Sequence, residues 1–149
     1  MNIIVSACLL GIKCRYDGTG VKIKELIEAF PNDNLIPVCP EVLGGLPTPR
    51  TPAERIGDNI ITKTGNDVTK EYMKGAKEVL KLAKDKECCL AILKERSPSC
   101  GCGKIYDGTF TGKLIEGNGV TTELLLKNGI TVKGETSFQE VINTCISMK

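Results

Sequence analysis

The chain has 149 residues, of which 41% are hydrophobic and 26% charged, with a formal net charge of +2. That length accommodates one domain, 1–149, burying about two-thirds of its unfolded surface, and the balanced charge argues against a nucleic-acid or membrane-surface partner. Histidine is absent, which removes the usual general base near neutral pH and the commonest imidazole metal ligand.

The eight cysteines are too sparse for a small disulfide scaffold, and Met1 to Leu10 lacks the basic region and long apolar core of a signal peptide. The expected compartment is the reducing cytoplasm, where clustered cysteines serve metals or catalysis more often than disulfides.

In chain order, the apolar run Asn2 to Ala7 predicts a buried strand, left by the loop Cys8 to Gly18. Val21, Ile23, Leu26, Ile27 and Phe30 predict a short helix that stops at Pro31. Leu35 to Val38 predicts a second strand, and Pro37 places it away from the sheet centre. The stretch from Cys39 to Pro52 holds four of the chain's prolines, which fix φ and make this long connection an ordered wall.

Arg55 to Lys63 predicts a small hairpin turning at Gly57-Asp58-Asn59. Asn66 or Asp67 is expected to cap the clearest helix, whose stripe is Val68, Tyr72, Ala76, Val79, Leu80 and Ala83. A strand from Cys89 to Leu93 follows and opens into Glu95-Arg-Ser97-Pro-Ser99-Cys100-Gly-Cys102-Gly103. Lys104 to Phe110 predicts a second hairpin, turning at Asp107-Gly108. Gly117-Asn-Gly119 opens a helix carrying Val120, Leu124 and Leu125, which ends at Asn128-Gly129. Ile130 to Val132 is a last strand, and Ser137 with Glu140 forms a capping box for a closing helix with Phe138, Val141, Ile142, Cys145 and Ile146.

Helices alternating with apolar runs predict an α/β domain, a mostly parallel sheet flanked by helices in a Rossmann-like three-layer arrangement. In such sheets ligands bind beyond the carboxyl ends of the strands. Cys8, Cys39 and Cys100 each lie just past such an end and would converge if the strand order allows. Three thiolates from three loops make an incomplete tetrahedral set, with the missing ligand's place open to substrate. Sulfur-only ligation favours zinc or an iron–sulfur cluster. Cys88, Cys89 and Cys145 fit core packing better. Cys14 or Cys102 is close enough in sequence to add a fourth thiolate, which would turn an open catalytic site into a closed carrier or redox site.

The motifs Ser6-Ala-Cys8-Leu-Leu-Gly11, Cys14-Arg-Tyr-Asp-Gly18, Pro37-Val-Cys39-Pro-Glu41, Pro49-Arg50-Thr-Pro-Ala-Glu54 and Leu93-Lys-Glu-Arg-Ser97-Pro-Ser99-Cys100-Gly101 closely resemble the thiouracil desulfidase family, in order along the chain. The resemblance implies a non-redox desulfidase whose [4Fe-4S] cluster is held by Cys8, Cys39 and Cys100, with the remaining iron free for the sulfur of a thiolated base. The family pattern does not require cysteine at 14 or 102.

In such a site the carboxylate of Glu41, two residues past a ligand, is the expected acid/base group. Ser97 would orient water or a ring nitrogen, with Ser99 as a second contact. Arg50, among Arg15, Arg55 and Arg96, offers a guanidinium fork for a nucleotide, and the Gly117-Asn-Gly119 helix start offers amides. The expected substrate is a small thiolated base or nucleotide, such as thiouracil, thiouridine or its monophosphate. A zinc-dependent nucleobase hydrolase and a non-catalytic iron–sulfur carrier are the alternatives.

Overall fold

The computed structural model describes residues 1–140. Its strands are β1 (Asn2–Ser6), β2 (Asn34–Val38), β3 (Ala53–Ile56), β4 (Asn59–Thr62), β5 (Leu90–Leu93), β6 (Lys104–Tyr106), β7 (Leu114–Glu116) and β8 (Thr131–Gly134). Its helices are α1 (Lys24–Ala29), α2 (Pro40–Leu43), α3 (Thr69–Asp85) and α4 (Val120–Lys127), and a 3-10 turn at Ala7–Leu10 follows β1. Positions 141–149, with Val141, Ile142, Cys145 and Ile146 of the expected closing helix, lie outside the described residues.

Ile3 to Val5 of β1 and all four residues of β5 are apolar and buried, the pattern of strands covered on both faces. Ile3 and Val5 of β1, with Leu90 and Ile92 of β5, pack with Leu26, Phe30 and Phe138 on one side. Ile4, Ala91 and Leu93 pack on the other with Val79 and Ala83 of α3 and Leu125 of α4. The expected three-layer α/β sandwich is therefore observed.

The central sheet is wholly parallel, in the order β2-β1-β5-β8. The chain steps from β1 outward to β2, then crosses back past β1 to β5 and on to β8. Right-handed crossovers in opposite directions put α1 on one face and α3 and α4 on the other. β1 and β5 are thus the neighbours at which the winding reverses, where doubly wound sheets open a crevice at their carboxyl ends. Pro37 pairs with Val5 in β2, an edge strand of the sheet, where a missing amide is tolerated.

The hairpin expected at Arg55 to Lys63 forms as β3 and β4, with Ile56 opposite Asn59, so Asn59 belongs to a strand and not to the turn. The hairpin expected to turn at Asp107-Gly108 does not. β6 pairs with β7, Tyr106 opposite Leu114, across a loop of residues 107–113. The cause is Glu54 of β3, whose Oε1 accepts the amides of Gly108 and Phe110 at 2.9 and 3.1 Å and draws the loop across. Asp67, just ahead of the Val68 N-cap, accepts the Thr69 amide at 2.9 Å and so starts α3.

α2 is one turn with proline at its first position, where a missing N–H costs nothing. It lies backbone against backbone on α3. A Cβ on Gly44 would collide with the Glu71 carbonyl, and one on Gly75 with the Pro40 carbonyl. This pair of glycines sets how closely α2, which carries Glu41, approaches the rest of the molecule. Gly75→Ala is expected to destabilise the fold by about 1–3 kcal/mol through overpacking, read as a lower urea midpoint. An unchanged midpoint would contradict the close approach.

Candidate functional site

Three chain segments leave the carboxyl edge of the sheet and meet around one cavity of about 670 Å³, whose lining includes Cys8, Cys39, Cys100, Glu41 and Ser97. Cys8 sits in the 3-10 turn after β1, where its carbonyl accepts the amides of Gly11 and Val21 at 3.1 and 2.7 Å. Gly11 takes a φ of 93°, a left-handed conformation that glycine adopts without strain. Cys39 is the N-cap of α2, and its carbonyl accepts the Leu43 amide at 3.0 Å.

The loop after β5 is clamped from behind by α4. The carbonyls of Pro98 and Ser99 accept the amides of Val120 and Thr121, both at 2.9 Å, and the Gly101 carbonyl accepts the Gly119 amide at 2.8 Å. Thr122 Oγ1 donates to the Cys100 carbonyl at 2.9 Å. Gly119 allows this contact, since any Cβ there would run into the Ser99 carbonyl group. The amides expected to offer an anion site are therefore occupied by the cysteine loop. Asn118 is committed as well, its Oδ1 accepting the Gly103 amide and its carbonyl accepting Arg55 Nη1.

Within the loop, Ser97 Oγ accepts the Cys100 amide at 2.7 Å, so the oxygen is fixed while the hydroxyl hydrogen stays available to the cavity that Ser97 lines. Ser99, two residues on, turns the other way. It is 0% exposed and shares a 2.8 Å hydrogen bond with Thr121 Oγ1. The substrate contact expected of Ser99 is not available in this structure, where it braces the loop.

Glu41 and Arg50 are both buried at the cavity wall. The Cys39 thiol donates to Glu41 Oε2 at 3.5 Å, and Arg50 Nη2 lies 3.9 Å from the same oxygen. Arg50 also donates to the Cys14 carbonyl at 3.0 Å, and to Pro47 O and Thr48 Oγ1 at 3.2 and 3.1 Å. With its side chain only 7% exposed, it ties the Cys14 loop to the proline-rich wall and steadies Glu41. Cys14 lines the cavity beside Cys39. Cys102 does not, and its thiol points at the Val132 carbonyl at 3.6 Å. Cys88 is buried in the core between sheet and helices, and the half-buried Cys89 thiol contacts Met1 Sδ at 3.8 Å.

Burial pushes the Cys8 thiol up to about 11, against partial relief from the Lys94 ammonium. Cys39 rises to about 12, through burial first and the Glu41 carboxylate second. Burial likewise holds the Cys100 thiol well above the ordinary thiol range. Such thiols stay protonated in the metal-free protein and await a cation whose charge favours the thiolate. All three are free of disulfides. Among the described residues no three Cys, Asp or Glu side chains gather tightly enough for one metal ion, whereas a polynuclear cluster spreads its thiolate ligands around several irons. An all-sulfur donor set of this kind suits an iron–sulfur cluster.

Two lining residues, Tyr72 and Lys94, were not expected at the site. Tyr72 belongs to an apolar helix stripe, and the only hint in the sequence is a phenol where every neighbour in the stripe is aliphatic. Lys94 follows a buried strand directly, and its Nζ meets Glu135 Oε1 at 2.8 Å. Among the described residues no helix is long and apolar enough to cross a membrane.

Known proteins are similar to this chain over nearly its whole length. A profile of the 2-thiouracil desulfurase family matches residues 3–137. The uncharacterized protein YbbK of Bacillus subtilis (strain 168) is 43% identical, over 94% of this chain and 99% of its own length. The solved structure of the [4Fe-4S]-dependent thiouracil desulfidase TudS is similar at a TM-score of 0.89 with 45% identity, covering 99% of both chains.

In the metal-free protein, alkylation of Cys8 and Cys39 is expected to be slow at neutral pH. Because only the thiolate reacts, the rate should climb about tenfold per pH unit between about pH 7 and pH 10. A plateau by about pH 9 in peptide-resolved mass spectrometry would contradict the burial described here.

Proposed function

The chain belongs to the 2-thiouracil desulfurase family, and on that premise we propose that residues 1–149 form one cytoplasmic desulfidase domain. It exchanges the sulfur of a thiolated pyrimidine for oxygen without net redox change. The thiocarbonyl compound and water give the carbonyl compound and hydrogen sulfide, so atoms and electrons balance. The observation that carries this reading is the meeting of three free cysteines from three strand ends, Cys8 and Cys100 buried and Cys39 half-buried, at one cavity that also contains Glu41 and Ser97.

Cys8, Cys39 and Cys100 would hold a [4Fe-4S] cluster by three thiolates. When bound, the cluster supplies a Lewis-acidic iron that takes the soft thiocarbonyl sulfur and makes the adjacent carbon electrophilic. Glu41 accepts the proton of the attacking water and returns one to the departing sulfide. Arg50 holds that carboxylate at the cavity wall, a positioning role, and a fork partly used by protein carbonyls is a weaker substrate ligand than expected from sequence. Ser97, with its oxygen fixed by the Cys100 amide, donates its hydroxyl hydrogen to the ring or to water.

A cavity of about 670 Å³ lies in the usual range for small-molecule sites. Thiouracil, thiouridine and the monophosphate all remain within the reading, with Arg15, Lys63 and Arg96 on the lining to meet a phosphate. Of the two candidates for a carrier's fourth thiolate, Cys102 points at the Val132 carbonyl and Cys14 lines the cavity beside Cys39, so a carrier would rest on Cys14 alone, and the family match together with the acid beside Cys39 favours the enzyme.

Protein loaded anaerobically with iron and sulfide is expected to convert thiouracil to uracil with no added oxidant or reductant. Cys8→Ser, Cys39→Ser and Cys100→Ser should each lose the cluster's visible absorbance and the activity, whereas Cys102→Ser should keep both. Glu41→Gln should keep the absorbance and lose activity by about 10²- to 10⁴-fold, the usual contribution of a positioned acid/base group. Loaded protein that leaves thiouracil unchanged would overturn the reading.

A further inference from the structure

We propose that Tyr72 is a specificity-determining residue, whose phenol donates a hydrogen bond to the exocyclic carbonyl oxygen that a thiolated uracil keeps while its sulfur is exchanged. This rests on the desulfidase reading above. Tyr72 stands on the inner stripe of α3, where its ring packs with Ile60, Ala76 and Val120, and the residue is only 5% exposed. Phenylalanine would fill that space equally well, so packing alone gives no reason for the hydroxyl.

The phenol makes no hydrogen bond to protein among the described residues, although every fully buried side-chain nitrogen or oxygen there has a partner. Its oxygen therefore reaches the cavity surface that Tyr72 lines. Glu41, Arg50, Cys39 and Cys100, where the chemistry is expected, line the same cavity. A nearly buried donor with no protein partner, among three thiols and an acid, is completed by a ligand acceptor.

Burial and the Glu41 carboxylate both push its pKa up, so the phenol remains a donor across the working pH range and is unsuited to act as a base. With the sulfur directed at the cluster, the remaining acceptor on a thiouracil ring is its carbonyl oxygen. A ring without that oxygen would leave the phenol unpaired. Sites built to hydrogen-bond a substrate group discriminate strongly against analogues that lack it.

The test compares wild type with Tyr72→Phe, which preserves the packed ring, on 2-thiouracil and on pyrimidine-2-thione, which has the sulfur but no second exocyclic oxygen. With thermal midpoint and cluster absorbance unchanged, Tyr72→Phe is expected to lower kcat/KM for 2-thiouracil by about ten- to a hundredfold, the worth of one buried hydrogen bond. The loss should appear mainly in KM, with little change for pyrimidine-2-thione. Uracil binding, followed by calorimetry, should weaken by a similar factor.

Equal losses on both thiones would mark Tyr72 as structural and overturn the proposal, as would an undiminished rate on 2-thiouracil. If wild type converted neither thione, the desulfidase reading would fail by itself. Uracil affinity would still decide the ring contact, and equal or absent uracil binding in the two proteins would overturn it.

Discussion

Everything at this site depends on how the Cys100 loop is held. The first amides of a helix ordinarily lack partners and attract anions. In α4 they are consumed by the carbonyls of Pro98, Ser99 and Gly101, with Thr121 and Thr122 adding side-chain hydrogen bonds from the same turn. The helix thereby fixes a thiol without facing the substrate itself. A cluster ligand needs such rigidity, because a thiolate that drifts leaves the iron it holds.

The other two thiols are fixed by different means at the same edge. Cys8 is held by amides that close on its own carbonyl, and Cys39 by its place as the N-cap of a single helical turn pressed onto α3. The reversal of winding between β1 and β5 brings these segments to a common cavity. Burial then disfavours the thiolates of the metal-free protein, and Glu41, Ser97 and Tyr72 are among the polar side chains on the cavity lining. Glu41 and Ser97 stand on the same segments as Cys39 and Cys100, within hydrogen-bond contact of them, and Tyr72 joins them on the lining from α3.

Much of the fold was legible in the sequence, because strands buried on both faces read as continuous apolar runs and Pro37 announced an edge strand. The convergence of the three cysteines was not, since it depends on strand order and hence on pairing between residues far apart in sequence. Cys14 and Cys102 are equivalent by sequence distance, yet one lines the cavity and the other faces the core beside Val132. Ser97 and Ser99 differ by two residues and point oppositely, a consequence of the clamp by α4. Tyr72 falls on an amphipathic stripe, which reports the buried face of a helix and says nothing of what a hydroxyl meets there. The hairpin expected at Asp107-Gly108 was overridden by Glu54, a long-range contact that no local turn preference contains.

The central claim is a cluster held at three irons and open at the fourth. Mössbauer spectroscopy of protein loaded anaerobically with iron-57 addresses it most directly, before and after addition of thiouracil. The account predicts one iron environment distinct from the other three, which alone shifts when the thiocarbonyl sulfur arrives. Four like irons that thiouracil leaves unmoved would contradict it.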